Sequence, residues 1–220
     1  MESLTNHPIK FQNFSDSVVI YLPLRTDKYK LPIRGIYGIL CATATTFLCS
    51  LAAKHPIRGG IDVGVAMEIS KKEIYGAALA RAYSLESNQA QYPRIVLGPE
   101  LIDYLHYTAS QNPENVQSAI SKRISERCLD LITIDDDGLP ILDYLGETLK
   151  ISIANKFDRD VVLKAYHNVL KYSSTYQKEQ NSKLAFRYSN LRNYFDARLE
   201  VWFEDPNELS SQLDKLDEKV

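Results

Sequence analysis

A carboxylate at the tip of a short hairpin is the first place where this sequence could do chemistry. Asp16 lies in Phe14-Ser15-Asp16-Ser17, where the strand-like runs Ile9 to Phe14 and Ser17 to Leu24 meet. Such a carboxylate is well placed to hold a divalent metal. Ser and Asp are equally ordinary turn residues, because their side chains bond nearby backbone amides. A second acidic group, Asp135, Asp136 and Asp137, lacks the alternating ligands and terminal glutamate of a calcium loop, which predicts a solvated turn. The three cysteines, Cys41, Cys49 and Cys128, match no zinc spacing and are expected to be reduced core residues.

These side chains must be carried by a mixed set of elements. The run from Gly35 to Ala53 has no charge, but its threonines, serine and glycines and its marginal length predict a buried helix covering a sheet, not a membrane span. A polar loop is expected from Arg25 to Pro32. The spacing then predicts a strand over Ile57 to Ile69, a charged turn over Ser70 to Glu73, a helix over Ile74 to Ser87 and a short buried strand over Pro93 to Leu97. Helices are expected over Glu100 to Thr108 and Val116 to Asp130, followed by a hairpin around Asp-Gly over Ile132 to Gly146. Beyond Asp158, apolar and aromatic residues at helical spacing predict an αα-hairpin, Arg159 to Gln180 and Lys183 to Phe203. Its stripe runs Val162, Tyr166, Leu170, then Phe186, Leu191, Tyr194, Phe195, Leu199 and Trp202. The polar tail after Asp205 is expected to fray.

With 26 basic and 28 acidic residues in 220, the composition excludes a broad nucleic-acid or membrane footprint and leaves room for a local basic pocket. The stretch MESLTNHPIK has neither the charged nor the apolar region of a signal peptide, so a cytoplasmic location is expected.

Three segments, in order, resemble the catalytic domain of class III nucleotide cyclases. RGGIDVG, Arg58 to Gly64, matches that family's Arg-x-Gly-Ile-x-x-Gly strand. KFQNFSD, Lys10 to Asp16, resembles its hairpin, with a lysine six residues before the metal-binding aspartate. EIYGAALARAYSLES, Glu73 to Ser87, resembles its catalytic helix. Phe14-Ser15-Asp16-Ser17, Arg58 to Ile61 and Tyr92-Pro93-Arg94-Ile95 also resemble a divergent bacterial branch, similar in outline to the pyrimidine cyclases of antiphage signalling. The resemblance covers Ile9 to Pro99.

The resemblance implies a nucleoside triphosphate substrate, Mg²⁺ or Mn²⁺, and a 3′,5′-cyclic product. Asp16 would be the metal ligand, and Lys10 and Glu73 would line the base pocket. Arg58, heading the substrate strand, would act mainly structurally with Gly59 and Gly60. The family's transition-state asparagine and arginine fall on Ala80 and Ser84, neither of which can replace them. Arg81 is the nearest candidate catalytic cation, about 100° round the helix from the needed face. The family's first strand, with its own metal aspartate, has no counterpart, so a homodimer or a partner supplying that strand is expected.

The expected fold class is α+β: a ferredoxin-like antiparallel sheet with helices on one face, plus the C-terminal αα-hairpin. Residues 1–150 would form the cyclase-like domain and 151–220 a helical segment. Three functions fit this reading. They are a cyclase completed by a partner, a nucleotide-binding module that has lost the chemistry, and an assembly protein using the αα-hairpin as its contact surface.

Overall fold

The computed structural model describes residues 9–14, 16–24, 32–70, 73–153 and 159–217. The expected loop at 25–31 lies outside them, as do two residues of the turn after Ser70. Two hairpins, β1 (Lys10–Phe14) with β2 (Ser17–Tyr21) and β4 (Ala66–Ser70) with β5 (Glu73–Gly76), stand apart from a four-stranded sheet. That sheet has the order β3 (Gly59–Ile61), β6 (Ile95–Leu97), β8 (Pro140–Leu142), β7 (Ile132–Ile134). The β3–β6 pair is parallel and the other two pairs are antiparallel, so the class is α+β but the sheet is mixed, where an antiparallel one was expected.

The apolar run folds as α1 (Pro32–Ala52), whose Ile33, Ile36, Leu40, Ala44, Phe47, Leu48 and Leu51 form a buried stripe at helical spacing. Among the described residues it is the one helix long and apolar enough to cross a membrane. Its stripe is buried in the core, chiefly against α4 (Val116–Leu129) and α6 (Arg159–Lys178) and not over the sheet as expected. Each fully buried leucine there contributes about 1.5–3 kcal/mol. One continuous apolar core runs from Ile33 to Leu209. At its centre Tyr144 is fully buried, with ring centroids 4.4 Å from Phe47 and 4.5 Å from Tyr194.

The strand expected over Ile57 to Ile69 is broken after Ile61. There Asp62 turns inward, and its Oδ1 accepts the Leu101 amide at 2.9 Å, in the first turn of α3 (Pro99–Ser110). A carboxylate with that task cannot continue a pleated strand. The helix expected from Ile74 begins only at Ala77, as α2 (Ala77–Ser84), because Glu73 to Gly76 pair with β4. Gly76, at φ 143°, makes the switch; a Cβ there would lie 2.5 Å from the Val65 carbonyl oxygen. A wide π-turn, Leu85–Gln89, then leads the chain back to β6.

The β7–β8 hairpin closes on Gly138, at φ 82°. Its acidic turn is not merely solvated. The guanidinium of Arg94, 1% exposed, pairs with Asp135 and Asp137, and the Tyr92 hydroxyl donates to Asp135. Burial draws the Arg94 pKa down, but the bonds to Asp137 and Asp135 outweigh it and leave it raised.

After α5 (Glu147–Ile153), helices α6 and α7 (Ser182–Asp196) stack Tyr166 on Phe195. Phe186, placed in the expected stripe, is exposed. The second expected helix breaks at Ala197, because Arg198 turns in to reach Asp143 at 2.7 Å and Thr133 at 3.1 Å. The short α8 (Leu199–Trp202) follows, and Trp202 Nε1 donates to the Leu145 carbonyl at 2.8 Å. The tail forms an amphipathic α9 (Pro206–Asp217) instead of fraying, with Leu209 buried and Asp217 2.9 Å from His167 and 3.3 Å from Lys171.

Only one cysteine matches the expected core position fully. Cys128 is buried, Cys41 half-buried and Cys49 exposed. Burial pushes the Cys128 thiol up to about 12 and raises that of Cys41. Titration of the native protein with Ellman's reagent is therefore expected to show one fast thiol, Cys49, and one slow, with Cys128 reacting only after unfolding. A fast phase of two or more thiols would contradict this packing.

Candidate functional site

Hairpin β1–β2 closes through a two-residue turn, with Phe14 opposite Ser17, and this puts Asp16 at its exposed tip. Along β1 and β2 the alternation sends Lys10, Gln12, Val19 and Tyr21 to one face. That face meets the second hairpin. The Lys10 ammonium donates to Glu68, the Tyr21 hydroxyl donates to the same carboxylate at 3.3 Å, and Gln12 Oε1 accepts the Ile74 amide at 3.2 Å. Glu68 lies opposite Ile74 in the β4–β5 register, so all three contacts share one junction.

Electrostatics at the junction follow from this pairing. The hydrogen bond to Glu68 holds the Lys10 pKa above its ordinary value, and the same bond, seen from the carboxylate, holds Glu68 below its own. Both groups stay partly open to water, at 41% and 30% side-chain exposure, so they remain available to a ligand. Glu73 begins β5 beside Ile74 and is exposed. The structure thus brings Lys10, Gln12, Tyr21 and Glu68 to one junction, and Glu73 lies next to it in sequence without a contact to Lys10. Asp16 lies at the far end of β1, about 13 Å along a strand of that length.

Arg58 and Arg81 lie elsewhere. Arg58 donates to the Ala90 carbonyl at 3.1 Å and pairs with Glu86 at 2.7 Å, tying the start of β3 to the π-turn. Gly60, next in β3, lies against the end of α2: a Cβ there would meet the Ala82 carbonyl oxygen at 2.3 Å. Arg81 donates from Nε to Asp62 at 2.6 Å and from Nη2 to the Val63 carbonyl at 2.6 Å. Its guanidinium is spent on the loop after β3. Ala80 is exposed and uncharged, and Ser84 accepts from Asn88 at 3.1 Å.

As a donor set for the implied metal pair, these residues do not fit. Asp16 is a single carboxylate at the hairpin tip, and Glu68 is engaged by Lys10 and Tyr21. No group of three His, Cys, Asp or Glu among the described residues is placed to hold a metal ion. What the junction offers is hydrogen bonding: an ammonium, carboxylates, an amide and a phenol on one half-open face.

Two surfaces around the junction lack a partner among the described residues. Phe11, Val18 and Ile20 on β1–β2, and Met67, Ile69 and Tyr75 on β4–β5, are each more than half exposed. Among the described strands, β3 pairs on one edge only, with β6. An isolated two-stranded hairpin with an apolar outer face is marginal in water.

Sequence reasoning missed Asp62, Glu68 and Arg94. Two of them carried a signal: Asp62 is a charge inside IDVG and Arg94 a charge inside YPRIVL, each an ion in an apolar run that needs a partner. Glu68 carried none, since its partner is 58 residues away. Comparison of the chain with family models, with curated proteins and with solved structures finds no match.

Proposed function

We propose that this is a nucleotide cyclase-like protein that binds a nucleoside triphosphate along the paired hairpins. The observation that supports this reading is the meeting of β1–β2 with β4–β5, which pairs Lys10 with Glu68 and brings Gln12 to Ile74, one residue after Glu73. Lys10 and Glu73 read the base, while Asp16 lies toward the triphosphate. The ribose 3′-oxygen attacks the α-phosphorus, its proton is lost to solvent or base, and the bond to pyrophosphate breaks. A homodimer or a partner strand, added beside the open edge of β3, supplies the missing carboxylate. Mg²⁺ or Mn²⁺ belongs to that completed site. The setting proposed is the cytoplasm.

One observation favours a second reading, a nucleotide-binding module without turnover. The candidate catalytic cation, Arg81, is held by Asp62 and Val63, and the positions of the expected asparagine and arginine hold Ala80 and Ser84.

Incubation with each of the four ribonucleoside triphosphates and Mn²⁺, with products read by mass spectrometry, separates the two. A cyclic product that falls at least tenfold in Asp16→Ala is the result expected of the enzyme. A melting shift with nucleotide, equivalent to about 2.7 kcal/mol at a hundred times Kd, without product identifies the binding module. Neither product nor shift sinks both readings.

A further inference from the structure

On the helical side of the molecule, α1 and α4 form an open, mostly apolar groove of about 380 Å³ lined by Arg34, Arg123, Arg127, Ile120 and Ile124, with all three arginines exposed. Arg123 and Arg127 are four residues apart on α4, so they share one face, and Ile120 and Ile124 share it at the same spacing. Arg34 enters from the first turns of α1. No ion pair or hydrogen bond engages any of the three guanidinium groups among the described residues, although ten ion pairs form elsewhere. Two like charges at i and i+4 weaken a helix, and a third from α1 adds to the repulsion. Three exposed cations with no partner among the described residues, set around a concave apolar floor, form a positive patch that an anion can enter.

We infer that this groove is a binding site for a phosphorylated small molecule, distinct from the hairpin junction. The guanidinium fork matches phosphate oxygens two at a time, which favours phosphate over halide or a simple point charge. Three such groups match a ligand carrying two to four negative charges, as a di- or triphosphate does. The groove volume lies in the range of small-molecule sites. Ile120 and Ile124 give an apolar surface on which an attached organic group can lie. The inference does not rest on the cyclase-like reading, because no residue is shared between the two places.

Isothermal titration with sodium tripolyphosphate, and separately with adenosine triphosphate, at constant ionic strength tests it. Saturable tripolyphosphate binding is expected, weakened at least tenfold in Arg123→Ala/Arg127→Ala and severalfold in Arg34→Ala, with circular dichroism and melting unchanged. Arg123→Lys/Arg127→Lys keeps the charge but not the fork and should fall between. Lys183→Ala, which removes an exposed cation on α7 outside the groove, should leave this affinity as it was, which separates the site from unspecific attraction. Adenosine triphosphate binding tighter than tripolyphosphate would make the ligand a nucleotide, and equal affinity would make it an inorganic phosphate chain. No saturable binding of either probe, or the same affinity in the double alanine variant, overturns the proposal.

Discussion

Replacing Arg94 with methionine is expected to lower the unfolding free energy by about 3–5 kcal/mol. The side chain is 1% exposed, and its guanidinium holds Asp135, Asp137 and, at 2.7 Å, the Gln89 carbonyl. It also lies 4.6 Å from the Tyr92 ring centroid. Methionine keeps the volume but leaves the Asp135 carboxylate, 9% exposed, with the Tyr92 hydroxyl and the Asp136 amide and no counter-charge. A buried ion without its partner costs more than the pair contributed, which is why one-sided removal is severe. Urea unfolding reads the result as a lower midpoint at unchanged slope. A loss below about 1 kcal/mol, typical of an exposed pair, would show that the cluster relaxes into water.

The same cluster sets a pH dependence. Burial raises the Asp137 pKa, but the Arg94 hydrogen bond and charge outweigh that and leave it below the ordinary 3.8. A carboxylate with a depressed folded pKa contributes stability above its unfolded pKa and loses it as pH falls through the folded one. Asp137 is 46% exposed on its side chain, so its share is screened. Acid destabilisation of the wild type below about pH 4 should shrink in Arg94→Met.

What could be read from residue order was the part governed by local rules. The β1–β2 turn, the Asp-Gly hairpin of β7–β8 and the start of α4 at Asn115, with its Ser118 reciprocal cap, follow from neighbours in sequence. Three of the failures are places where a distant charged group decided. Asp62 ends β3 to serve Leu101, Arg198 ends α7 to reach Asp143, and His167 and Lys171 hold a tail whose composition reads as loose. The candidate site divides the same way. Asp16 on a hairpin tip was legible from turn chemistry, and the approach of Gly60 to α2 from its glycine pair. The Lys10–Glu68 pairing joins strands whose alternation says nothing about which hairpin faces which.

Asp62→Ala should cost about 3 kcal/mol, and its partner decides what Arg81 is for. The Asp62 carboxylate is fully buried, accepting the Leu101 amide through one oxygen and Arg81 through the other. Alanine removes a cap from α3, a helix whose own N-cap, Gly98, has no side chain to offer. Asparagine would restore the acceptor to Leu101 but not the charge opposite Arg81, and should recover about half of the loss. Arg81, 34% exposed, can turn to water when Asp62 is gone, whereas Asp62 cannot when Arg81 is gone. Arg81→Ala should therefore destabilise by a comparable amount, and the double variant by clearly less than the sum, a coupling of about 1–3 kcal/mol. A positioning role for Arg81, fixing the loop between β3 and the β4–β5 hairpin, predicts that coupling. If instead Arg81→Ala leaves the urea midpoint unmoved and abolishes formation of a cyclic nucleotide, the guanidinium leaves Asp62 during turnover. The first reading of the chain as an enzyme would then stand on a cation that the folded protein holds against Asp62 at rest.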